Sequence, residues 1–232
     1  MSEFWAHVPE LTESGLITLS AEEARHVATR RLRVGDAFVV FDGRGRRATA
    51  QLESIARREV VARIGPIEEL GREDQGFVLA SAIPKGDRLS TLLQMLTQLG
   101  VETWQPLVLE DSAMRKLDPG STRVQRILVE SAKLARRAWL MEVRAPIGLD
   151  ALLASAPGPI AFGEREGETG ALPAEVAVLV IGPEAGFSEA ELRRLRAAGA
   201  RPHAFSPHNL RIETAAIAGA VARQLARGRQ DG

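Results

Sequence analysis

The sequence predicts an α/β protein in which a small β-rich domain precedes a parallel sheet covered by helices. In roughly the first seventy residues, short alternating apolar segments are separated by turn residues such as Gly-Asp and Asp-Gly. From residue 77 onward, strand-like apolar runs alternate with segments whose apolar residues have helical spacing. Such alternation is typical of a parallel sheet with helices packed against it.

In the first domain, the pattern predicts strands over residues 17–19, 37–41, 48–52 and 60–64. A helix is expected to begin at Ser20, where Glu23 follows three residues later in the arrangement of a capping box. Short strands at regular spacing indicate a small barrel or sandwich. The polar segment 68–76 is the expected linker, which assigns residues 1–72 and 73–232 to the two domains.

The second domain is predicted as an alternation of strands and helices. Strands are expected over 77–83, 103–109, 160–163, 177–181 and 203–205, and helices over 88–99, 124–137, 189–198 and 214–225. Ser188 and Glu191 form a capping box at the start of one of these helices. In parallel sheets, ligands bind at the carboxyl ends of the strands, so residues 182–187 and 206–211 are expected to form a small-molecule site.

Composition excludes several classes of chemistry. The chain has no cysteine and four histidines, which excludes a thiol nucleophile and argues against a dedicated metal site. We find no signal-peptide pattern and no apolar run of membrane-spanning length, so we expect a cytoplasmic protein without membrane contact.

Positive charge is unevenly distributed, although the net charge is zero. Of 30 basic residues 27 are arginine, and ten of these lie between Arg25 and Arg63 against four acidic residues. The planar guanidinium suits bidentate contacts with phosphate. From composition alone, this excess is equally compatible with solvated faces of a protein from an arginine-rich proteome.

The sequences of two loops are more unusual than a simple connection between a strand and a helix requires. After an apolar strand, Gly-Pro-Glu-Ala-Gly-Phe (182–187) contains two glycines and a proline, which suggests a backbone that approaches a ligand closely. The second loop, Ser-Pro-His-Asn-Leu-Arg-Ile-Glu-Thr (206–214), leads into an Ala- and Gly-rich helix. Dinucleotide-binding, Walker, serine-elbow and HExxH motifs are absent from the sequence. Taken alone, the second loop is also compatible with solvated charges around a helix start.

Together, these loops resemble a known family. "IGPEAGF" at 181–187 and "LRIETA" at 210–215 are similar to the paired signature "IGPEGGF…LRxETA" of the RsmE family, SPOUT-class methyltransferases that act on N3 of uridine in small-subunit ribosomal RNA. "KGDR" at 85–88, "TQLGVETWQPLVLEDS" at 97–112, "RHVATRRLRVGD" at 25–36 and "FDGRG" at 41–45 agree with the same family. The resemblance therefore covers nearly the whole chain.

The resemblance implies a PUA-like RNA-binding β-barrel followed by a SPOUT α/β trefoil-knot methyltransferase domain, acting as a homodimer. It implies S-adenosyl-L-methionine as methyl donor, no metal, and 16S rRNA within the small ribosomal subunit as substrate. The last helix is expected at the dimer contact. The cofactor-binding residues implied are Phe162, Gly163, Ile181, Gly182, Pro183, Glu184, Gly186, Phe205, Ser206, Asn209, Leu210 and Arg211.

The family match also implies roles for charged residues. We expect Arg211 to stabilise negative charge on the uracil oxygens or to hold a phosphate, and Glu213 to orient Arg211 or to accept a proton. Glu184 is expected to shape its loop. The candidate RNA-binding residues are Arg25, Arg30, Arg31, Arg33, Arg115, Lys116 and Arg137.

The sequence departs from the family pattern at several positions. Leu134-Ala135 stands for a usual Gln-Ser pair, His208-Asn209 for Arg-Ile, Ser206 for Gly and Ala185 for Gly. Two alternatives remain open for the function: a SPOUT methyltransferase acting on another RNA base or a ribose 2'-hydroxyl, and a non-catalytic ribosome-binding relative.

Overall fold

The computed structural model describes residues 4–11, 13, 15–56, 59–72, 74 and 76–227. The chain divides into two compact units, one of Met1–Arg72 with Val129–Leu140 and the other of Glu73–Leu128 with Met141–Gly232. The segment Val129–Leu140, which the sequence assigns to the second domain, therefore packs as part of the first unit.

The first unit contains a mixed five-stranded sheet. Its strands are β1 (Trp5–His7), β2 (Gly15–Thr18), β3 (Ala37–Phe41), β4 (Arg46–Ile55) and β5 (Val60–Glu69), in the order β1-β3-β4-β5-β2. β1 runs parallel to β3, and the other pairs are antiparallel. The strands predicted over 37–41, 48–52 and 60–64 are confirmed, and the one predicted over 17–19 lies at Gly15–Thr18. β1 was not predicted, because three residues are too few to show a period.

β5 continues two residues into the expected linker. Ion pairs Arg46–Glu69 and Arg47–Glu68, at 3.0 and 2.9 Å, join facing residues of β4 and β5 and extend the ladder beyond its apolar part. Cross-strand pairs of opposite charge stabilise a sheet even where neither face is buried. The linker prediction was therefore wrong at its start, because polarity alone did not distinguish an exposed strand end from a loop.

Helix α1 (Ala21–Thr29) begins as predicted, with the Ser20 hydroxyl accepting a hydrogen bond from the Glu23 N–H at 3.2 Å. The Glu23 carboxylate is used elsewhere. It accepts from the His7 N–H at 3.1 Å and from Lys133 Nζ at 2.9 Å, and it is 4% exposed. The expected capping box is thus only half formed, because Glu23 links β1, α1 and the segment Val129–Leu140 within the first unit.

His7 makes the stability of the first unit depend on pH. Burial lowers the pKa of His7 below its ordinary value of 6.5, against the opposing effects of the Asp42 carbonyl and the Glu23 charge. The folded state therefore binds a proton on His7 less readily than the unfolded state does. For this reason the contribution of His7 to the free energy of unfolding is complete above pH 6.5 and is lost as the pH falls below that value.

We therefore expect the urea midpoint of the wild type to fall more steeply than that of His7→Asn between about pH 7 and about pH 5. Urea unfolding of both chains across this range measures the difference. Parallel midpoint curves for the two chains would contradict the role of His7.

The second unit is built on a parallel sheet. Its strands are β6 (Val78–Ala82), β7 (Thr103–Val108), β8 (Glu142–Val143), β9 (Ile147–Gly148), β10 (Ile160–Thr169), β11 (Val178–Ile181) and β12 (Arg201–Ala204). The order is β12-β10-β11-β6-β7-β8, β9 also pairs with β7, and the ladders β6–β7, β6–β11, β10–β11, β10–β12, β7–β8 and β7–β9 are all parallel. The predicted parallel sheet is confirmed.

In the described residues, helices α2 (Asp87–Gln98), α4 (Leu149–Ser155), α5 (Glu189–Ala197) and α6 (Ile212–Arg227) belong to this unit, whereas α3 (Thr122–Ala135) begins in it and continues into the segment Val129–Leu140 of the first unit. The central strands are apolar and buried, as their continuous hydrophobic runs predict. Within the described ranges, no helix is both long enough and apolar enough to cross a membrane.

Several boundaries differ from the predictions for local reasons. α3 ends at Ala135 rather than at residue 137, because Arg136 adopts a φ of 55° and leaves the helix. β10 continues to Thr169 through polar residues that pair with β12 after a register shift. α6 begins at Ile212, two residues before the predicted start. α4, β8 and β9 were not predicted, since each is too short to show a period.

Candidate functional site

The loops that follow β11 and β12 meet at the carboxyl edge of the parallel sheet. Because β10 lies between β12 and β11, these loops and the middle of β10 come together around a cavity of about 230 Å³. The lining residues are Gly163, Glu164, Arg165, Ile181, Gly182, Pro183, Glu184, Ala185, Gly186, Phe187, His203, Phe205, Ser206, His208, Asn209, Leu210 and Ala215.

The first loop depends on both of its glycines. A Cβ at Gly182 would lie 3.2 Å from the Phe187 ring, which in turn meets the Phe162 ring edge-on with a centroid distance of 5.9 Å. Gly186 has a φ of +84°, and its N–H donates to the Pro183 carbonyl at 2.9 Å. Glycine adopts this left-handed conformation without strain. The loop therefore turns back tightly, with an aromatic ring packed on its first residue.

Helix α5 fixes the far end of the first loop. The predicted capping box of Ser188 and Glu191 is confirmed, with the Ser188 N–H donating to Glu191 at 2.9 Å. The buried Glu191 carboxylate also accepts from the Glu110 N–H at 2.8 Å, which joins the loop after β7 to the start of α5. The Glu191 carboxylate thus stabilises the start of α5 and also holds the loop after β7 beside it.

Glu184 connects the first loop to helix α2. Arg88 Nη1 lies 2.5 Å from Glu184 Oε1, and the two side chains are 34% and 40% exposed. A partly exposed pair of this kind contributes about 0.2–1 kcal/mol to stability. Its geometry supports the expected structural role of Glu184, since it restrains the middle of the loop.

The second loop is shaped by a side-chain turn and by aromatic packing. The Ser206 hydroxyl accepts from the His208 N–H at 3.0 Å. The rings of His203 and Phe205 lie 5.0 Å apart, and His203 Nε2 lies 3.2 Å from the Gly170 carbonyl. Phe205 forms one wall of the cavity and also contacts α6 beside Gly219.

Helix α6 uses its small residues to pack on its own chain. A Cβ at Gly219 would overlap the Leu179 side chain, and Ala216 and Ala220 are buried. The apolar side chains that α6 leaves exposed are Val221 and Leu225, at 40% and 58%. Gly219, Ala216 and Ala220 therefore pack inside the chain, and the expectation that the last helix lies at a dimer contact stays a prediction.

Most of the predicted cofactor-binding residues lie around the cavity, where ten of the twelve line it. Phe162 is fully buried behind the cavity and supports Phe187, while Arg211 lies outside the lining. The lining residues that the sequence did not predict are Glu164, Arg165, Ala185, Phe187, His203, His208 and Ala215. Phe187 is part of the loop motif and could have been predicted from it. Arg165 could not, because the sequence does not show that β10 continues beyond its apolar start.

Arg211 and Glu213 occupy the junction between the second loop and α6. The Arg211 carbonyl accepts from the Ala215 N–H at 2.9 Å, and its side chain is exposed. Glu213 is 8% exposed, and its Oε2 finds no hydrogen-bond donor among the described residues. In the same described part of the chain, no hydrogen bond or ion pair joins the two side chains.

The candidate RNA-binding residues differ in accessibility. Arg25, Arg30, Arg31 and Arg33 are exposed at α1 and in the turn after it. Lys116 is exposed, and Arg115 Nη2 donates to the Leu109 and Glu110 carbonyls at 3.2 and 2.8 Å. Arg137 is only 9% exposed. Little of Arg137 is therefore accessible, and its assignment as a phosphate contact stays a prediction.

Comparison with known families places the chain among RNA-modifying proteins. Residues 72–224 match the model described as an RNA methyltransferase domain, and residues 19–65 match an RNA methyltransferase PUA domain.

Named relatives and solved structures agree with these matches. The chain is 29% identical over 220 residues to Ribosomal RNA small subunit methyltransferase E of Synechocystis, covering 89% of this chain and 72% of that protein. The identity to the protein of the same name from Aquifex aeolicus is 27% over 218 residues, with 90% and 93% covered. The crystal structure of the Neisseria gonorrhoeae protein of this name bound to S-adenosyl methionine matches with a TM-score of 0.83 at 26% identity, over 97% of this chain and 98% of that chain.

Proposed function

The chain belongs to the RNA methyltransferase domain family, and from this premise we propose that it transfers a methyl group from S-adenosylmethionine to N3 of a specific uridine in 16S rRNA. The observation that supports this most directly is the cavity between the two loops, whose lining contains ten of the residues that the family resemblance implies for the cofactor.

The residues around the cavity fit this cofactor. At Gly163 a Cβ would lie 3.1 Å from Ile181 Cδ1, and at Gly182 it would press on Phe187. Both glycines therefore let a neighbouring side chain pack directly on the backbone, which keeps Ile181 and Phe187 in the wall of the cavity. Gly163, Gly182, Gly186, Phe205 and Leu210 would hold S-adenosylmethionine, with Glu184 restraining the loop through Arg88.

The reaction requires little chemical activation from the protein itself. When bound, S-adenosylmethionine supplies a methyl group that is already activated as a sulfonium. The protein must align uracil N3 and favour loss of its proton, which are effects of positioning and electrostatics. We assign to Arg211 the stabilisation of negative charge on the uracil oxygens, or the holding of an adjacent phosphate. Its exposed side chain beside the lining residue Leu210 supports this assignment.

We assign to Glu213 one of two roles: it orients Arg211, or it accepts the proton from uracil N3. Its buried Oε2, which lacks a donor among the described residues, supports a role in which a donor arrives with the substrate or with a second protomer. A buried carboxylate oxygen without a partner is costly, so the assembled complex is expected to supply one.

We also propose that the methyltransferase domain is a trefoil knot and that the chain acts as a cytoplasmic homodimer on the small ribosomal subunit. The exposed apolar side chains Val221 and Leu225, together with Ala218 and Pro207, line a groove of about 740 Å³ that a second copy would cover. RNA binding is assigned to the exposed arginines of α1 and its following turn, with Arg115 and Lys116. Phosphate contacts of this kind position RNA without reading its sequence.

Methylation of another base or of a ribose 2'-hydroxyl is the alternative within enzymes, and a non-catalytic ribosome-binding relative is the alternative outside them. Incubation with S-adenosylmethionine and unmethylated small subunits, followed by reverse transcription of the 16S rRNA, separates the three. Methyl on N3 blocks base pairing, so a cofactor-dependent stop is expected. Methyl transfer without a stop would indicate another target atom, and no transfer would favour the binding protein.

Gly182→Val tests the cofactor site. The branched side chain would displace Phe187 from the wall of the cavity, because even a Cβ lies 3.2 Å from its ring. We expect S-adenosylmethionine binding to weaken about tenfold or more, equivalent to about 1.4 kcal/mol, as measured by titration calorimetry. The melting temperature without cofactor serves as the control for folding. Unchanged affinity in a folded variant would place the cofactor elsewhere.

A further inference from the structure

A second pocket, of about 330 Å³, lies in the first unit and shares no lining residue with the cofactor cavity. We call it the α1 pocket. It is lined by Phe4, Trp5, His26, Thr29, Arg30, Glu130, Lys133, Leu134 and Arg136. Its volume falls at the lower end of the range of about 300–1,000 Å³ typical of small-ligand sites.

The rim of the α1 pocket carries an unusually exposed leucine. Leu134 is 72% exposed, the highest value of any large hydrophobic side chain in the described part of the chain. Behind it, Phe4 and Trp5 are buried at 7% and 4%. An exposed apolar side chain at a pocket mouth offers apolar surface against which the face of an unstacked base can pack.

Positive charge surrounds this apolar rim. Arg30 and Arg136 line the pocket, whereas the charge of Lys133 is balanced by Glu130 at 3.0 Å and Glu23 at 2.9 Å. Arg25, Arg31 and Arg33 are exposed on the same helix and the following turn. The charge of the rim therefore complements a phosphate backbone.

The backbone at the rim is held in an uncommon conformation. In the described residues, positive φ values outside glycine occur at Arg31 and Arg136, at 56° and 55°. Arg136 lines the pocket, and Arg31 follows the lining residue Arg30. Both residues follow the end of a helix, where a left-handed residue is common and is usually glycine. The two helix ends that carry these arginines both belong to the α1 pocket.

The interior wall is rigid because its charged groups form hydrogen bonds and ion pairs with one another. Lys133 Nζ lies 2.9 Å from Glu23 Oε1, 2.9 Å from His26 Nδ1 and 3.0 Å from Glu130 Oε1. Glu23, His26 and Glu130 have the geometry of a metal-binding group, but the ammonium already lies at its centre. Lys133, which is 9% exposed, is therefore a fixed part of the wall, and Arg30 and Leu134 are the groups presented to a ligand.

We propose that the α1 pocket binds one unpaired nucleotide of the rRNA substrate, with the base against Leu134 and the phosphate beside Arg30. This inference rests on the proposed function, since it takes the same rRNA as ligand. It goes beyond that function by assigning recognition of a single nucleotide to a pocket of the first unit that shares no lining residue with the cofactor cavity. Phosphate contacts alone do not read sequence, whereas a base held in a pocket contributes to the choice of site.

Two substitutions separate the base contact from the phosphate contact. Leu134→Ser is expected to weaken binding to unmethylated small subunits about tenfold without changing its salt dependence, because it removes an apolar contact and no charge. Arg30→Gln is expected to reduce the slope of log affinity against log salt by about 0.7, the value for one phosphate of a single strand. Leu16→Ser and Arg63→Gln are the matched controls, since Leu16 is 59% exposed on β2 and Arg63 is paired with Glu53. Both controls should bind like the wild type.

Photocrosslinking identifies the occupant. With p-benzoylphenylalanine in place of Leu134, irradiation on the small subunit is expected to link the full chain to one 16S nucleotide, while the same residue in place of Leu16 gives no such product. A crosslink to a ribosomal protein, or unchanged binding by both Leu134→Ser and Arg30→Gln, would overturn the inference.

Methyl transfer by the wild type to the same subunits separates this inference from the proposed function. Transfer with no effect of either variant refutes the pocket alone. A Leu134 crosslink to RNA without transfer refutes the methyltransferase activity alone, and a wild type that neither transfers nor binds refutes both.

Discussion

Arg211→Ala is expected to lower kcat for methyl transfer by about 10²–10³-fold while leaving the affinity for S-adenosylmethionine unchanged. The guanidinium is exposed beside Leu210, outside the lining of the cofactor cavity, so its removal takes no contact from the cofactor. It would remove the charge that stabilises the uracil as N3 loses its proton. Single-turnover transfer to small subunits measures the rate, and calorimetry measures the cofactor affinity.

Two matched variants sharpen this test. Arg211→Lys keeps the charge but loses the planar fork, so it should restore only part of the rate. Arg201→Ala removes an exposed arginine of the neighbouring strand β12, outside the cavity lining, and should transfer methyl at the wild-type rate. Full turnover by Arg211→Ala with normal RNA binding would show that the family-derived role does not apply here.

Gly167→Ala is expected to destabilise the second unit by about 3 kcal/mol, at the upper end of the cost of inserting atoms into a packed site. A Cβ at Gly167 would overlap backbone atoms of Pro202 and His203. Because both partners are main chain in the β10–β12 ladder, neither moves aside without breaking the pairing. Since β12 leads directly into the second loop, cofactor binding should weaken as well.

Thermal unfolding measures this effect, with an expected loss of about 6–12 °C for a unit of this size. Gly148→Ala is the control, because a Cβ there meets nothing within 4 Å and its φ is −79°. A melting temperature equal to that of the control would mean that the close approach of β10 and β12 is not required.

The sequence predicted the parallel sheet and the two loops of the site because their signals are local. Apolar strands, the Ser188–Glu191 box and the glycines of 182–187 can each be read within a few residues. The roles of Glu23 and Arg137 could not be read this way. Glu23 is diverted from its capping box by Lys133, a residue 110 positions away, and Arg137 is buried by packing that no periodicity reports.

The residues around the two pockets that the sequence did not predict were missed for the same physical reason. Arg165 lines the cofactor cavity only because β10 continues beyond an apolar start through residues that look like a polar loop. The α1 pocket unites residues 4–5, the end of α1 and residues 130–136, and its exposed leucine gains meaning only from that proximity. Long-range contacts of this kind leave no spacing in the sequence.

The most direct test of the central claim is the identity of the methylated nucleoside. Small subunits labelled by the protein with radioactive S-adenosylmethionine would be digested to nucleosides and separated by chromatography with mass detection. The account predicts that the label co-elutes with 3-methyluridine and is absent without the protein. Label in a ribose-methylated nucleoside or in another base would contradict it.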